Sequence, residues 1–214
     1  QSPRSYAHVH CRECWYGDGW DAATYAREYD LKRSFFEQWF ELVRQVPQFN
    51  LWHQGENVNC NYSNYIFGSK DCYLSFSSVE SEGLLYCKNT DYSRECTDCL
   101  TVQKSELLYD CVSTTESYAS AFLTRSQKCN ECYFGRDLSD CQNCFGCVNL
   151  KHKQWYWFNE PLTKDEYEHR LSQALKNQTT FADQQKKFEE FSFSLPVEFA
   201  TQRNSEDVTG TELY

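Results

Sequence analysis

The sequence has 214 residues, 40% of them hydrophobic and 17% aromatic, with 24% charged, enough apolar material for a buried core. Its apolar runs are only a handful of residues long, which excludes a transmembrane helix. A net charge of −10 argues against a phosphate-neutralising surface, and so against nucleic acid as the partner of this stretch.

The 13 Cys residues are an odd number, so a fully paired disulfide framework would leave one thiol over. Reduced thiols in the cytoplasm are the expectation. The sequence contains no Met, and the natural polypeptide is expected to begin upstream.

In chain order, the segment 1–32 carries His8, His10, Cys11 and Cys14 in the run H-V-H-C-R-E-C. Imidazole and thiolate at this spacing suit zinc, making it the best local metal candidate. The element at 33–56 is read as a capping helix and linker. Phe35, Phe36, Trp39, Phe40, Leu42, Val43 and Val46 form one broad apolar stripe, ended by Pro47. Its expected job is to cover the open end of the domain that follows.

That domain, 57–161, is self-similar. Cys72 to Cys96 and Cys87 to Cys111 repeat a single spacing, and clusters such as L-L-Y-C and L-L-Y-D-C, assigned inward with their Leu85 and Leu108, return between polar segments. Such a repeat is the mark of a solenoid. Tyr, Phe, Val, Cys, Ser and Thr dominate, with no helical periodicity, so the coils are β. The fold class is therefore mainly β: a Cys-rich β-solenoid of about four coils and a period of about 23 residues, with a half-period near 12, flanked by capping α-helices. An irregular Cys-rich domain held by metal is the competing architecture. Cys72, Cys87, Cys96, Cys111 and Cys132 are assigned to a structural ladder, with Cys87, Cys111 and Cys132 in one column on successive coils. Cys96 and Cys141 are placed in a shared column two coils apart, too distant for the Cys-x-x-Cys pairs to meet at one ion. Within Cys141-x-x-Cys144-x-x-Cys147, strand alternation suggests that at least one sulfur faces solvent or a ligand, a second metal candidate. The aromatic stretch Gln154–Phe158 is read as the last coil, packing on the helix that follows.

The C-terminal helices occupy 162–196. Thr163 and Glu166 form a capping box, with Leu162 and Tyr167 as a hydrophobic staple, and the helix runs to about Leu175. Asn177 to Thr180 breaks it, and a second helix covers about Ala182 to Phe193. The segment FEEFSFSLP (188–196) echoes FEQWFELVRQVP (36–47), and E-[ND]-V follows each. The tail 197–214 is therefore read as a frayed end or the start of a second array.

Four runs carry a family resemblance: C-W-Y-G-D-G-W-D (Cys14–Asp21), F-F-E-Q-W-F-E-L (Phe35–Leu42), C-F-G-C-V-N-L-K-H-K (Cys144–Lys153) and F-N-E-P-L-T-K-D-E-Y (Phe158–Tyr167). Together they resemble a Cys-rich repeat family of candidate-phyla bacteria. The resemblance implies a zinc ribbon upstream of the W-D run and a second Cys-rich array downstream. Members often bear the label CaiB/BaiF, which belongs to large α/β CoA transferases that nothing in this chain resembles. The resemblance supplies no catalytic residues.

No nucleophile elbow, phosphate loop or zincin motif is present, so no catalytic or cofactor-binding residues are assigned, and zinc is the one cofactor considered. The function expected is a non-catalytic binding or scaffolding module, with an unidentified protein partner or self-association and no membrane. The alternatives are a zinc-dependent nucleic-acid- or ribosome-associated protein and an enzyme using a solenoid groove.

Overall fold

The structure is a computed structural model and describes residues 8–198. It divides into two compact units, one ending at Leu100 and the other beginning at Thr101.

The chain is a β-solenoid, but its coil is half as long as the Cys spacing suggested. In the first unit Val58 pairs with Lys70, Lys70 with Glu82, and Glu82 with Arg94, all in parallel. In the second, Glu106 pairs with Tyr118, Tyr118 with Asn130, Asn130 with Gln142, and Gln142 with Gln154. Each step is 12 residues. The two units together contain about nine turns, not about four. The apparent repeat near 23 is two coils, and the half-period near 12 is the coil itself.

Within each coil the side chains do not alternate as in an ordinary strand. Every third residue from Cys60 to Cys147 is buried, so four three-residue steps close one coil. The residue before each inward position has left-handed backbone, for example Tyr62 (φ 54°), Asp71 (φ 52°) and Lys128 (φ 49°). Outside glycine that conformation costs about 1 kcal/mol or more per residue. Inter-coil hydrogen bonds offset it. The left-handed residue donates to a carbonyl one coil back, as in Asp71 N–H to Val58 O (2.8 Å) and Tyr86 N–H to Tyr73 O (3.0 Å). The residue after the inward one donates to the next coil, as in Lys70 N–H to Ser81 O (2.9 Å).

The inward residue's own N–H points at the side chain stacked beneath it. Ser81 N–H donates to Ser69 Oγ (3.1 Å), Ser93 N–H to Ser81 Oγ (3.2 Å), and Cys129 N–H to Ser117 Oγ (3.1 Å). Each Oγ also donates to the carbonyl two residues back, at 2.9 Å from Ser81 to Val79. Cys does the same with sulfur. Cys72 Sγ–H donates to Lys70 O (3.4 Å), and Cys129 Sγ–H to Gln127 O (3.3 Å) while accepting from Cys141 N–H. A buried amide needs an acceptor, and where Ser, Thr or Cys lies beneath it a short γ-oxygen or γ-sulfur supplies one, while Ile66, Leu84, Val102, Leu108, Leu123 and Leu138 fill the remaining bulk of the interior. This requirement accounts for an interior written mainly in Cys, Ser and Thr.

The flanks differ from each other. The first helix, α1, is Arg12–Tyr16, and the second, α2, is Phe35–Val43 rather than 33–46. No residue of α2 is buried, so the helix does not cap the coils as the sequence suggested. A short parallel pair, Val9–His10 with Gln48–Phe49, closes the N-terminal segment.

The far end is capped. Helix α3 (Lys164–Ala174) begins at the expected Thr163/Glu166 capping box. Helix α4 runs Gln178–Ser194; Asn177 and Thr180 form a second capping box and start that helix rather than separating it from a later one. The echo of the E-[ND]-V motif at Glu206–Val208 and most of the 197–214 tail lie outside the described residues. No described helix is long and apolar enough to cross a membrane.

Candidate interaction surface

The Cys residues sort into two chemically distinct sets. Cys11 and Cys14 are exposed, and the other eleven, Cys60 to Cys147, are buried. Cys141, Cys144 and Cys147 all point inward, because three-residue steps put every Cys-x-x-Cys pair on the same side of the wall. The expectation that one of them faces solvent is corrected on that ground.

The ladder is corrected too. Cys72, Cys96 and Cys132 share one position of the 12-residue coil, while Cys87 and Cys111 share the next. Cys87 and Cys111 are two coils apart, not on successive coils, and Cys141 does not share a column with Cys96. Cys87 instead stacks on Cys99, whose thiol donates to it and holds its pKa down. Cys72 is pushed up to about 12 by burial and by the neighbouring Cys60.

In the second unit Cys129, Cys132, Cys144 and Cys141 are linked in series by thiol hydrogen bonds. The bond between Cys129 and Cys132 lowers the first pKa and raises the second. These two Cys-x-x-Cys pairs, Cys129/Cys132 and Cys141/Cys144, sit on adjacent coils and therefore touch, unlike Cys96/Cys99 and Cys141/Cys144. Their sulfurs are engaged with one another and with carbonyls. Among the described residues no group of three or more His, Cys, Asp or Glu side chains is arranged to hold a metal ion.

At the N-terminal candidate, Cys11 and Cys14 meet across one turn, where the hydrogen bond with Cys11 raises the Cys14 pKa. His10 packs edge-on against Trp15 and Trp20 (ring centroids 6.5 and 5.4 Å), within an aromatic cluster that includes Phe49.

The outer wall carries the larger signal. One outward position of the second unit holds Phe122, Phe134, Gly146 and Phe158 on successive coils. Helix α4 lies along it: Phe181 is 5.4 Å from Phe122 and 5.1 Å from Phe134, Phe188 is 5.9 Å from Phe134, and Phe191 is 5.4 Å from Phe158. Gly146 has φ +67°, and a Cβ there would come within 2.9 Å of the Phe158 ring. The stretch Gln154–Phe158 packs as expected, with Trp157 stacked on Phe145 at 4.0 Å and edge-on to Tyr167 at 6.1 Å.

The same position in the first unit holds Tyr62, Leu74 and Tyr86, flanked by Tyr73 and Leu85. Here Tyr62 is 69% exposed, Tyr86 53% and Leu85 41%, with Leu74 half-buried between the tyrosines. Tyr73 makes edge-on ring contacts with Tyr62 (5.8 Å) and Tyr86 (5.9 Å). Leu85, assigned inward from the sequence, is therefore on this outer face, and its neighbour Leu84 is the buried residue. Asp98 continues the column and ends its apolar run. Sequence reasoning missed this patch because it placed the L-L-Y-C cluster inside.

No protein-family model and no curated protein matches the chain. Among solved structures, one described as an acetyltransferase from Bacillus cereus is 10% identical, covering 66% of this chain and 95% of that one, with a TM-score of 0.18. At that score the likeness carries no argument about fold or activity.

Proposed function

We propose that this protein is a non-catalytic binding or scaffolding module whose working surface is the outer wall of the solenoid. One observation carries this reading. The outward column filled by α4 in the second unit is repeated in the first as Tyr62, Leu74 and Tyr86, flanked by Tyr73 and Leu85, with no helix of the described residues upon it. Contiguous exposed apolar side chains on a rigid repeat are the usual form of a protein-contact face. The interior is committed to the coil's own hydrogen bonds and supplies no groove for chemistry.

The test is capture from native lysate by the wild-type chain and by a Tyr62→Glu/Tyr86→Glu variant. Both substitutions face solvent, so folding is retained. The reading expects one or more proteins retained by the wild type and released by the variant. Equal retention by both would overturn it.

A further inference from the structure

Among the described residues, two apolar surfaces of the first unit have no partner, and the second unit shows how such surfaces fit together. The coil column Tyr62/Leu74/Tyr86 is one of them. The other is α2, whose Phe35, Phe36, Trp39 and Phe40 are all about half exposed or more, at 55%, 68%, 48% and 58%. In α4 the residues that reach the coil column include Phe188 and Phe191, three apart in the run F-E-E-F. Helix α2 repeats that spacing as Phe36 and Trp39 in F-E-Q-W. The likeness between the two helices, noted first as a sequence echo, thus falls on the side chains that do the docking in α4.

We propose that α2 of one molecule docks lengthwise on the Tyr62/Leu74/Tyr86 column of a second copy of this chain, as α4 docks on Phe122, Phe134 and Phe158. This rests on the scaffolding reading and names its partner. The segment bearing α2 is braced within itself, and no residue of the helix is buried. Arg33 makes a two-pronged ion pair with Glu41, and Gln38 bonds both the N–H and the carbonyl of Asp30. A second copy satisfies both surfaces at once, because each molecule offers one helix and one column. A reciprocal exchange of this kind would close as a two-fold dimer, leaving neither surface free to propagate.

The area is sufficient. An aromatic side chain buries about 150–250 Å² in full. Four half-exposed aromatics on each helix, with a matching area on each column, give roughly 1,600 Å² over the two contacts, within the range of a stable interface.

The experiment is sedimentation velocity over a concentration series on the full chain, together with Phe36→Glu/Trp39→Glu and Tyr62→Glu/Tyr86→Glu variants. Circular dichroism and thermal unfolding serve as controls for the fold. The wild type is expected to dimerise, and each variant to dimerise at least about 100-fold more weakly, since paired aromatic anchors carry most of an interface's energy. Mixing the two variants restores a heterodimer through the one intact contact. A wild type that stays monomeric at the highest concentration overturns the proposal, including the case where α2 folds back onto its own coil. Dimerisation unaffected by either pair of substitutions also overturns it. If the wild type is monomeric but the Tyr62/Tyr86 variant still loses a captured protein, the second copy is excluded while the scaffolding reading survives.

Discussion

Ser117 Oγ accepts the backbone N–H of Cys129 at 3.1 Å, one coil further along, while donating to Thr115 O at 3.2 Å. One small atom thus satisfies an amide of the next coil and adds a second bond to a carbonyl that already accepts the Lys128 N–H at 2.8 Å. Ser117→Ala leaves the buried Cys129 N–H without that acceptor and is expected to cost about 1–3 kcal/mol. Ser117→Cys keeps the same bonding in a slightly larger atom and should cost clearly less. Urea unfolding of the two variants checks the order; equal losses would mean that the hydroxyl acts only as filler.

Leu84 and Leu85 are adjacent in sequence and opposite in environment. Leu84 is fully buried, while Leu85 is on the outer wall. Leu84→Asp should abolish folding, since a buried unpaired carboxylate costs several kcal/mol. Leu85→Asp should be tolerated within about 0.5 kcal/mol. Thermal unfolding separates them, and equal sensitivity would mean that the inward register is wrong by one residue.

The thiols give a pH-dependent readout. Thiolate, not thiol, reacts with alkylating reagents, and Cys11 and Cys14 are the exposed thiols. They should label in the native protein while Cys60 to Cys147 wait for unfolding. The Cys14 pKa is raised, so its thiolate fraction at neutral pH falls below that of a free thiol. Its labelling rate should keep increasing as pH climbs past the ordinary thiol value of about 8.5. Mass spectrometry of labelled peptides against pH measures this; a Cys14 rate that levels off below that value contradicts the hydrogen bond with Cys11.

Tyr167 is buried in the cap against Trp157, and its hydroxyl has no hydrogen-bond partner among the described residues. Burial raises its pKa strongly. Tyr167→Phe keeps the ring packing and removes the stranded hydroxyl, so it should be neutral or stabilise by about 1 kcal/mol. A loss of stability in urea would place an unseen partner at that oxygen.

The solenoid, its flanking helices and the Thr163/Glu166 cap were legible in the sequence because each rests on local chemistry: repeated spacing, apolar stripes, a capping box. The coil length was present but misread. Cys60, Cys72, Cys87, Cys96, Cys99, Cys111, Cys129, Cys132, Cys141, Cys144 and Cys147 all lie multiples of three apart. Reading the strands with the usual two-residue alternation hid that step, and the 24-residue spacing of Cys72 and Cys96 then passed for one coil. The left-handed backbone that makes a three-residue step possible leaves little trace, since Tyr, Glu, Asp and Lys occupy it beside a few Gly. The outer patch followed the same error, because Leu85 and Tyr86 were assigned inward with Leu84.

The 12-residue coil with an inward side chain at every third position is tested most directly by deleting one coil. Removing residues 76–87 joins Ser75 to Lys88 and leaves Thr90 three residues after Ser75, so every column stays in phase. Removing only residues 76–86 shifts all later columns by one. The coil geometry predicts that the first deletion retains a native β circular-dichroism spectrum and cooperative unfolding, and that the second retains neither. Equal stability of the two deletions, or survival of the shorter one alone, would contradict it.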